Sequence, residues 1–352
     1  MSRPTTTRRA LLRRAAVAGG LAGFVRLRGA PALAQDATPA APTTSLGWND
    51  DLGADDGKLK VATTVAPISS IVRNVGGTRI DLRGIIPDGS DSHTFEPAPS
   101  DAKTLAQADI LFVNGLSLED PTLKLAEASL KPGAEVVKLG ELTIDPDQYV
   151  FDFSFPKEKG HPNPHLWTNP VLAKRYAELV ADALAKRDPA NAASYHENLA
   201  RYAAVLDRLD AAIKTAAATI PEAQRKLLTY HDSWAYFAPR YGLTVIGAAQ
   251  PSDFSQPSPQ EVAALIEQIK REGVPAVFGS EVFPSDVLEQ IAKEAGAEYI
   301  DQLRDDEPPG EPHSPEHTYL GMMLKDMDLM IPALGGNVDA LAGIEPWDTY
   351  VP

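Results

Sequence analysis

Three histidines occupy loop positions from which an imidazole could bind a metal ion. His93 lies in DGSDSHTFEPAPS, His165 in GHPNPHLWTNP and His231 in YHDSWAYF. Neutral imidazole nitrogen is a preferred ligand of zinc and of other borderline cations. The chain contains no cysteine, so a thiolate site is excluded. These residue types therefore predict capture of a transition-metal ion through histidine nitrogen.

A proline-rich loop surrounds one of these histidines. His161 and His165 are four residues apart, a spacing that would place both imidazoles on one face of a helix. Pro162 and Pro164 remove backbone donors and favour extended conformations in the residues before them, so a helix is excluded. The two imidazoles are expected to point in different directions. His165 is the candidate ligand, and His161 is kept as a candidate auxiliary contact at the mouth of the site.

The segments that must position these histidines alternate between strand and helix patterns. LKVATTVA, RIDLRGIIP, DILFVNG and AEVVKLG are typical of strands in the first half, as are KLLTY, LTVIGA, PAVFG and AEYID in the second. Helical patterns such as PISSIVRNVGG and SPQEVAALIEQIKREG separate them. Strands alternating with helices predict parallel sheets, and the two runs predict an α/β fold with two similar lobes.

Ligands of open α/β sheets bind beyond the carboxyl ends of the strands. His93 follows RIDLRGIIP, His231 follows KLLTY, and Asp301 ends AEYID. With His165 from the first lobe, each lobe would supply two ligands to the crevice between them. Three imidazole nitrogens and one carboxylate fit a four-coordinate ion such as zinc. A plainer interpretation of each residue stays open, because loop histidines are often surface residues and a strand-end aspartate can cap a helix.

The remaining histidines are weaker candidates. His313 and His317 lie four apart in DDEPPGEPHSPEHTYL, an acidic, proline-rich loop near Asp301, and are kept as auxiliary metal contacts. His196 lies beside the apolar stripe of a helical segment and is interpreted as a solvated helix residue.

That helical segment, residues 188–220, lies between the two lobes. Its apolar residues recur at steps of three and four: Tyr195, Leu199, Tyr202, Leu206, Leu209 and Ile213. About 30 helical residues would reach ~45 Å, enough to run along both lobes as a spine. A coiled-coil dimer seam is the alternative, and a monomer with a spine helix is preferred. The other predicted segments are an export signal (1–34), a flexible leader (35–57), and lobes over 58–187 and 221–352.

The first 34 residues have the composition of an export signal. They contain seven arginines and no acid, a small-residue run AAVAGGLAG, and an A-x-A-like cleavage site in APALAQ. The pair Arg8 and Arg9 favours the twin-arginine route over the Sec route. Without cysteine there is no residue for an N-terminal lipid anchor, and no apolar run approaches the ~20 residues of a membrane span. The protein is predicted to be exported, periplasmic or otherwise extracytoplasmic, soluble and not a lipoprotein.

Net charge narrows the class of partner. The formal net charge is −15, and removing the signal with its seven arginines leaves −22. Such a charge disfavours nucleic acid and anionic membrane surfaces as partners. It suits a cation, although acidity also serves solubility.

Four segments in order match the motifs of a known family. HTFEP at 93–97 resembles its H-x-[FY]-E-P motif, NPHLWTNP at 163–170 its D-P-H-x-W-x-D-P motif, and HDSWAYF at 231–237 its H-D-x-x-x-Y-F motif. IDQL contains the aspartate that follows a late strand. Over residues 58–334 the chain resembles the zinc and manganese solute-binding proteins that feed bacterial ABC importers. The resemblance implies an ABC permease and its ATPase as partners, and four metal ligands: His93, His165, His231 and Asp301.

The chain departs from the family pattern in two places. Asn163 and Asn169 stand where the second motif has aspartates, so the orientation of His165 is expected to depend on neutral amide contacts. Residues 142–160 include no histidine, whereas some zinc-binding members carry a histidine-rich loop in this region. A metal-scavenging loop is therefore not expected.

The third histidine decides the predicted cargo. Manganese prefers oxygen ligands and higher coordination numbers, so a histidine at position 231 favours zinc over manganese. A zinc hydrolase with Glu96 or Asp232 as its base is the alternative from another class, but a fourth protein ligand would close the position that its water needs. No enzyme activity is therefore predicted. A role in cell adhesion, found in some relatives with this fold, stays open.

Overall fold

Two parallel sheets organise the described part of the chain, residues 56–250, 255–282 and 285–351 of a computed structural model. The export signal predicted for residues 1–34, with its arginine pair, lies outside these residues. So does most of the predicted leader.

The first sheet has the order β2-β1-β3-β4 and is parallel throughout. Its strands are β1 (Leu59–Thr63), β2 (Ile80–Gly84), β3 (Ile110–Val113) and β4 (Glu135–Lys138). The central strand β3 is ILFV and is buried along its whole length, as expected for a strand covered on both faces. Its register with both neighbours is regular.

Five helices follow these strands or cover the first sheet. They are α1 (Ala66–Gly76), α2 (Pro99–Leu105), α3 (Asp120–Ser129), α4 (Leu139–Thr143) and α5 (Pro170–Arg187). Helix α5 begins where the proline-rich loop ends, because Pro170 suits the first helical position and the side chain of Asn169 accepts the N–H of Val171 at 3.0 Å.

The second sheet repeats the order of the first, as β6-β5-β7-β8. Its strands are β5 (Lys226–Thr229), β6 (Thr244–Ala248), β7 (Ala276–Ser280) and β8 (Glu298–Leu303). Two register shifts interrupt its ladders, one at Leu227/Leu228 and one between Phe278 and Ser280. Two parallel sheets of four strands confirm the predicted two-lobe α/β fold.

A long helix joins the two lobes. Helix α6 (Ala192–Ala217) has 26 residues, so it is ~39 Å long and shorter at both ends than predicted. In its apolar stripe Tyr195, Tyr202 and Leu209 are fully buried and Leu199 is partly buried, and α6 packs on α1 and α5. It also contacts α9 (Tyr319–Ala333), which follows the second sheet. The apolar stripe is therefore covered by other helices of the same chain, as expected for a spine helix. The boundaries predicted from sequence for the signal, the leader, the two lobes and the helix between them stay predictions.

Helices α7 (Pro259–Glu272) and α8 (Asp286–Ala295) cover the other face of the second sheet, with a hydrophobic cluster beneath them. A larger cluster runs without interruption from the first sheet through α6 to α9. Among the described residues, no helix is both long and apolar enough to span a bilayer.

The segment after α9 returns to the first lobe. The N–H of Thr349 donates to the side chain of Asn74 in α1 at 2.8 Å, and the same asparagine donates to Asp348 at 2.9 Å. The N–H of Val351 donates to Asn198 in α6 at 3.3 Å. Residues 348–351 therefore dock onto helices that are distant from them in sequence.

Candidate metal site

The three loop histidines lie together at the crevice between the lobes. His93 comes from the loop after β2, His165 from the proline-rich loop before α5, and His231 from the second position after β5. The Nε2 atom of His165 lies 3.0 Å from Nε2 of His93 and 3.2 Å from Nε2 of His231. One nitrogen atom from each of the three imidazoles lies within 4.8 Å of the other two, a spacing that one metal ion could bridge.

Asn163 fixes the orientation of His165. Its Oδ1 atom accepts the backbone N–H of His165 at 2.9 Å and also lies 2.9 Å from Nδ1 of the ring. An amide oxygen can only accept, so Nδ1 carries the proton and Nε2 carries the lone pair that faces the cluster. The neutral amide contact expected from the sequence departure at position 163 is present.

The other end of the Asn163 amide reaches the second lobe. Its Nδ2 atom donates to the Asp152 carboxylate at 2.7 Å and to the backbone carbonyl of Asp232 at 2.6 Å. Asn163 is fully buried, and both ends of its amide are hydrogen-bonded. A carboxylate at this position could not donate either hydrogen bond, which explains why an asparagine at position 163 suits this structure.

Gln250 orients His231 in the same way. Its Oε1 atom lies 3.0 Å from Nδ1 of His231, so that nitrogen donates and Nε2 holds the lone pair. The lone pairs of His165 and His231 then face each other across 3.2 Å, an arrangement that a shared cation stabilises. Sequence reasoning missed Gln250. The available signal was its position just beyond the carboxyl end of β6.

The structure does not bring Asp301 to the histidines. Asp301 is exposed within β8 and lines a surface cavity with Glu289 and Arg304. Asp305 instead is 5% exposed, and its Oδ2 atom lies 3.9 Å from Nε2 of His165. The sequence-based placement is corrected for a physical reason: β8 continues two residues past Asp301 to the buried Leu303, so the carboxylate beyond the strand end is Asp305.

A second buried acid holds the loop that carries Asp305. The Oε1 atom of Glu281 accepts the backbone N–H groups of Asp305 and Asp306 at 3.1 Å and of Glu307 at 3.0 Å. Asp306 in turn accepts the hydroxyl of Ser92 at 2.9 Å. Because Ser92 precedes His93, this contact ties the two loops of the site across the crevice.

Buried carboxyls crowd this side of the site. Burial raises the pKa of Asp305 well above its ordinary value, and the charges of Glu281 and Asp306 raise it further. Burial, followed by the charge of Glu281, raises the pKa of Asp306 to about 8. A cation bound beside these groups would offset their mutual repulsion.

The imidazoles are held in their neutral form. Burial lowers the pKa of His93 and of His165 well below the ordinary value, with a further contribution from neighbouring histidines. Burial lowers the pKa of His231 to about 4, against an opposing hydrogen bond from Gln250. Neutral imidazoles can bind a metal near pH 7 without first losing a proton.

The weaker histidine candidates lie apart from this cluster. His161 is exposed and shares with His93 the lining of a cavity of about 110 Å³. His313 and His196 are exposed. His317 is buried, and its Nε2 atom lies 3.5 Å from the carboxylate of Asp88. Within the described residues, the three histidines above are the one group of three or more histidine or acidic side chains whose ligand atoms all lie within 4.8 Å of one another.

A known protein family matches most of the chain. The model of the ZnuA family, described as zinc-uptake complex component A, periplasmic, matches residues 61–332. The chain belongs to this family. As a ZnuA-family member it is a substrate-binding component of a metal ABC importer, which works with a permease and an ATPase and is not an enzyme.

Proteins similar to this chain are named for different metals. The manganese-binding lipoprotein MntA of Halalkalibacterium halodurans is 28% identical over 290 residues, 82% of this chain and 93% of that protein. The iron-binding protein YfeA of Yersinia pestis is 30% identical over 280 residues, 79% of this chain and 87% of that protein. The structure of the periplasmic zinc-binding protein TroA from Treponema pallidum has a TM-score of 0.72 at 28% identity, and the match covers 79% of this chain and 99% of TroA.

These names correct one expectation. MntA and several other relatives are named lipoproteins, which conflicts with the prediction, based on the absence of cysteine, that the protein is not a lipoprotein. That prediction is wrong by this comparison. An extracytoplasmic location fits the family.

Proposed function

We propose that this ZnuA-family protein captures zinc between its two lobes and delivers it to the permease of its importer. The proposed ligands are His93, His165 and His231, each through Nε2, and Asp305. The observation that carries this proposal is the approach of the three Nε2 atoms, at 3.0 and 3.2 Å, with the Asp305 carboxylate 3.9 Å from the central one.

Ligand chemistry supports zinc over manganese or iron. Three imidazole nitrogens and one carboxylate suit a borderline ion with tetrahedral coordination, whereas manganese favours oxygen-rich sites of higher coordination number. Within this family, relatives are named for manganese and iron as well, so the ligand set of this chain has to carry the assignment.

Asp305 is the better fourth ligand on grounds of charge and burial. A buried carboxylate among other acids gains most from a cation, because the cation removes the repulsion that burial and the neighbouring acids impose. Asp301, exposed on β8, has no such gain.

The test is zinc content and zinc affinity, measured on the purified exported protein by elemental analysis and by competition with a chelator at fixed pH. One equivalent of zinc is expected for the wild type. His231→Ala should lose most of the affinity, by at least ~100-fold, the upper end of the range for groups around a metal. His196→Ala, an exposed histidine of α6, is the matched control and should bind like the wild type.

Selectivity is tested at the same residue. His231→Glu replaces nitrogen with a hard oxygen ligand, so the ratio of the manganese and zinc affinities should shift toward manganese. A wild type that binds no zinc would overturn the proposed function. An unchanged ratio in His231→Glu would remove His231 from the ligand set.

A further inference from the structure

One aromatic ring covers the histidine cluster. The centroid of the Phe155 ring lies 5.6 Å from that of His93, 5.7 Å from that of His165 and 5.6 Å from that of His231. The near-equal distances place the ring over the triangle that the three imidazoles form. Phe155 is 7% exposed, so it separates the cluster from solvent on that side.

A hydrogen-bonded turn, residues 152–155, holds Phe155 in this place. The Asp152 carboxylate accepts the N–H of Ser154 at 3.1 Å and that of Phe155 at 3.0 Å. The N–H of Asp152 donates to the carbonyl of Phe155 at 2.9 Å. These three bonds fix the backbone on both sides of the ring, so its position does not depend on apolar packing alone.

The 152–155 turn is also tied to the candidate ligands. Asp152 accepts the same Asn163 amide that orients His165, and the Ser154 hydroxyl accepts the N–H of Asp232, the neighbour of His231, at 3.3 Å. One amide thus sets both the ring that covers the site and an imidazole inside it.

The same turn contains a natural comparison residue. Phe153 is 55% exposed, two positions from Phe155 in the same backbone turn. Phe153 and Phe155 therefore have the same side chain and lie in the same turn. They differ in burial, and Phe155 is the one whose ring lies over the histidines.

We propose that Phe155 is a selectivity residue that keeps water out of the coordination shell of the bound ion. A water ligand needs space beside the imidazoles and polar partners, and the ring offers neither on the side that it covers. The ion is then restricted to ligands from the protein, which favours tetrahedral zinc over manganese, an ion that prefers octahedral coordination completed by oxygen. This inference rests on the proposed function, and it specifies in addition that the bound ion is four-coordinate with ligands from the protein alone.

The experiment compares Phe155→Ala with the matched control Phe153→Ala, using cobalt(II) as a spectroscopic substitute for zinc. Wild type and Phe153→Ala should give the intense visible bands of four-coordinate cobalt. Phe155→Ala should give weaker bands, because water enters the coordination shell. By chelator competition, the manganese affinity of Phe155→Ala should rise relative to its zinc affinity by about tenfold, a change typical of groups that surround metal ligands.

Three outcomes decide the matter. Weak, octahedral-type cobalt bands in the wild type would overturn the proposal without any variant, so a failure of Phe155→Ala to fold leaves the test intact. Four-coordinate bands and an unchanged zinc-to-manganese ratio in Phe155→Ala would overturn it as well, while zinc capture by the cluster would stand. A wild type that binds neither zinc nor cobalt would overturn the proposed function and this inference together.

Discussion

The two lobes share one sheet order but supply their halves of the site in different ways. In the first lobe the ladders are regular, and His165 is oriented by a neutral amide. In the second lobe two register shifts interrupt the ladders, at Leu227/Leu228 within β5 and between Phe278 and Ser280 in β7, and the loop with Asp305 is held by another buried acid, Glu281. His93 follows β2 whereas His231 follows β5, the counterpart of β1. A repeated fold therefore does not imply a repeated ligand set.

The difference has an energetic consequence. The half of the site in the first lobe presents neutral ligands, since burial keeps its two imidazoles uncharged and the amide that orients His165 is fully hydrogen-bonded. The half in the second lobe collects carboxyls whose pKa values burial raises, Asp326 included. Binding of a cation is expected to stabilise the second half more than the first.

The largest effect should come from removing a charge in the second lobe. Asp305→Asn is expected to lower zinc affinity by about 10- to 100-fold. Without metal the same variant should be more stable than the wild type, because it relieves the repulsion with Glu281 and Asp306. Chelator competition and urea unfolding of the metal-free protein measure the two effects.

Asp301→Asn is the control for this change, since it alters an exposed carboxylate on β8. It should leave zinc affinity and stability almost unchanged. Equal losses of affinity in both variants would remove the contrast between Asp301 and Asp305.

A smaller effect is expected from adding a charge in the first lobe. Asn163→Asp replaces an amide donor with a carboxylate oxygen that faces Asp152 at 2.7 Å, so the metal-free protein should lose about 2 kcal/mol of its free energy of unfolding. Asn169→Asp keeps the cap on Val171 and loses one bond to the Tyr236 carbonyl, so it should cost less than about 1 kcal/mol. Urea unfolding compares the two variants, and a similar cost for both would argue against a special role of the Asn163 amide.

The smallest expected effect concerns an ion pair between the lobes. Burial opposes the charged form of His317, but its contact with Asp88, in the loop after β2, raises the pKa of His317 above its ordinary value of 6.5, and Glu307 adds to this. The pair therefore contributes stability that is fully present below pH 6.5 and is lost as the pH rises through the raised pKa. His317→Gln should be ~1 kcal/mol less stable than the wild type in acid, and the difference should vanish in alkali.

The control for His317→Gln is His313→Gln, which changes an exposed histidine of the same loop. It should show no such pH dependence. Unfolding curves over a range of pH test both variants. A difference for His317→Gln that grows with pH would contradict the assignment of the ion pair.

Much of the fold could be predicted because most strands of a buried parallel sheet are short apolar segments that are recognisable in the sequence. Each of the eight strands in the described residues overlaps a segment that the sequence predicts as a strand, and the long stripe of α6 is visible in the spacing of its tyrosines and leucines. Helix α5 was missed, since its small and charged residues give only a weak apolar face after the proline-rich loop.

The site was predictable to the extent that a residue follows a recognisable strand end. His93 and His231 satisfy that rule, but Asp301 was placed at the end of a strand that continues to Leu303. The error arose because β8 is an edge strand with exposed polar positions, so DQ in its sequence resembles the start of a loop. The cover formed by Phe155 was also missed, since it depends on contacts between loops that no local pattern encodes.

The docking of residues 348–351 onto α1 and α6 sets an order of assembly during synthesis. Thr349 and its partner Asn74 are separated by 275 residues, and Val351 and Asn198 by 153. The first lobe leaves the ribosome early, yet these contacts cannot form until residues 348–351 have been made. Contacts of such long range slow folding, because a large loop must close before they form. The first lobe is therefore translated before the second lobe but acquires these contacts only after the second lobe has been translated. Until then the side chain of Asn74 in α1 lacks its hydrogen bonds to residues 348 and 349.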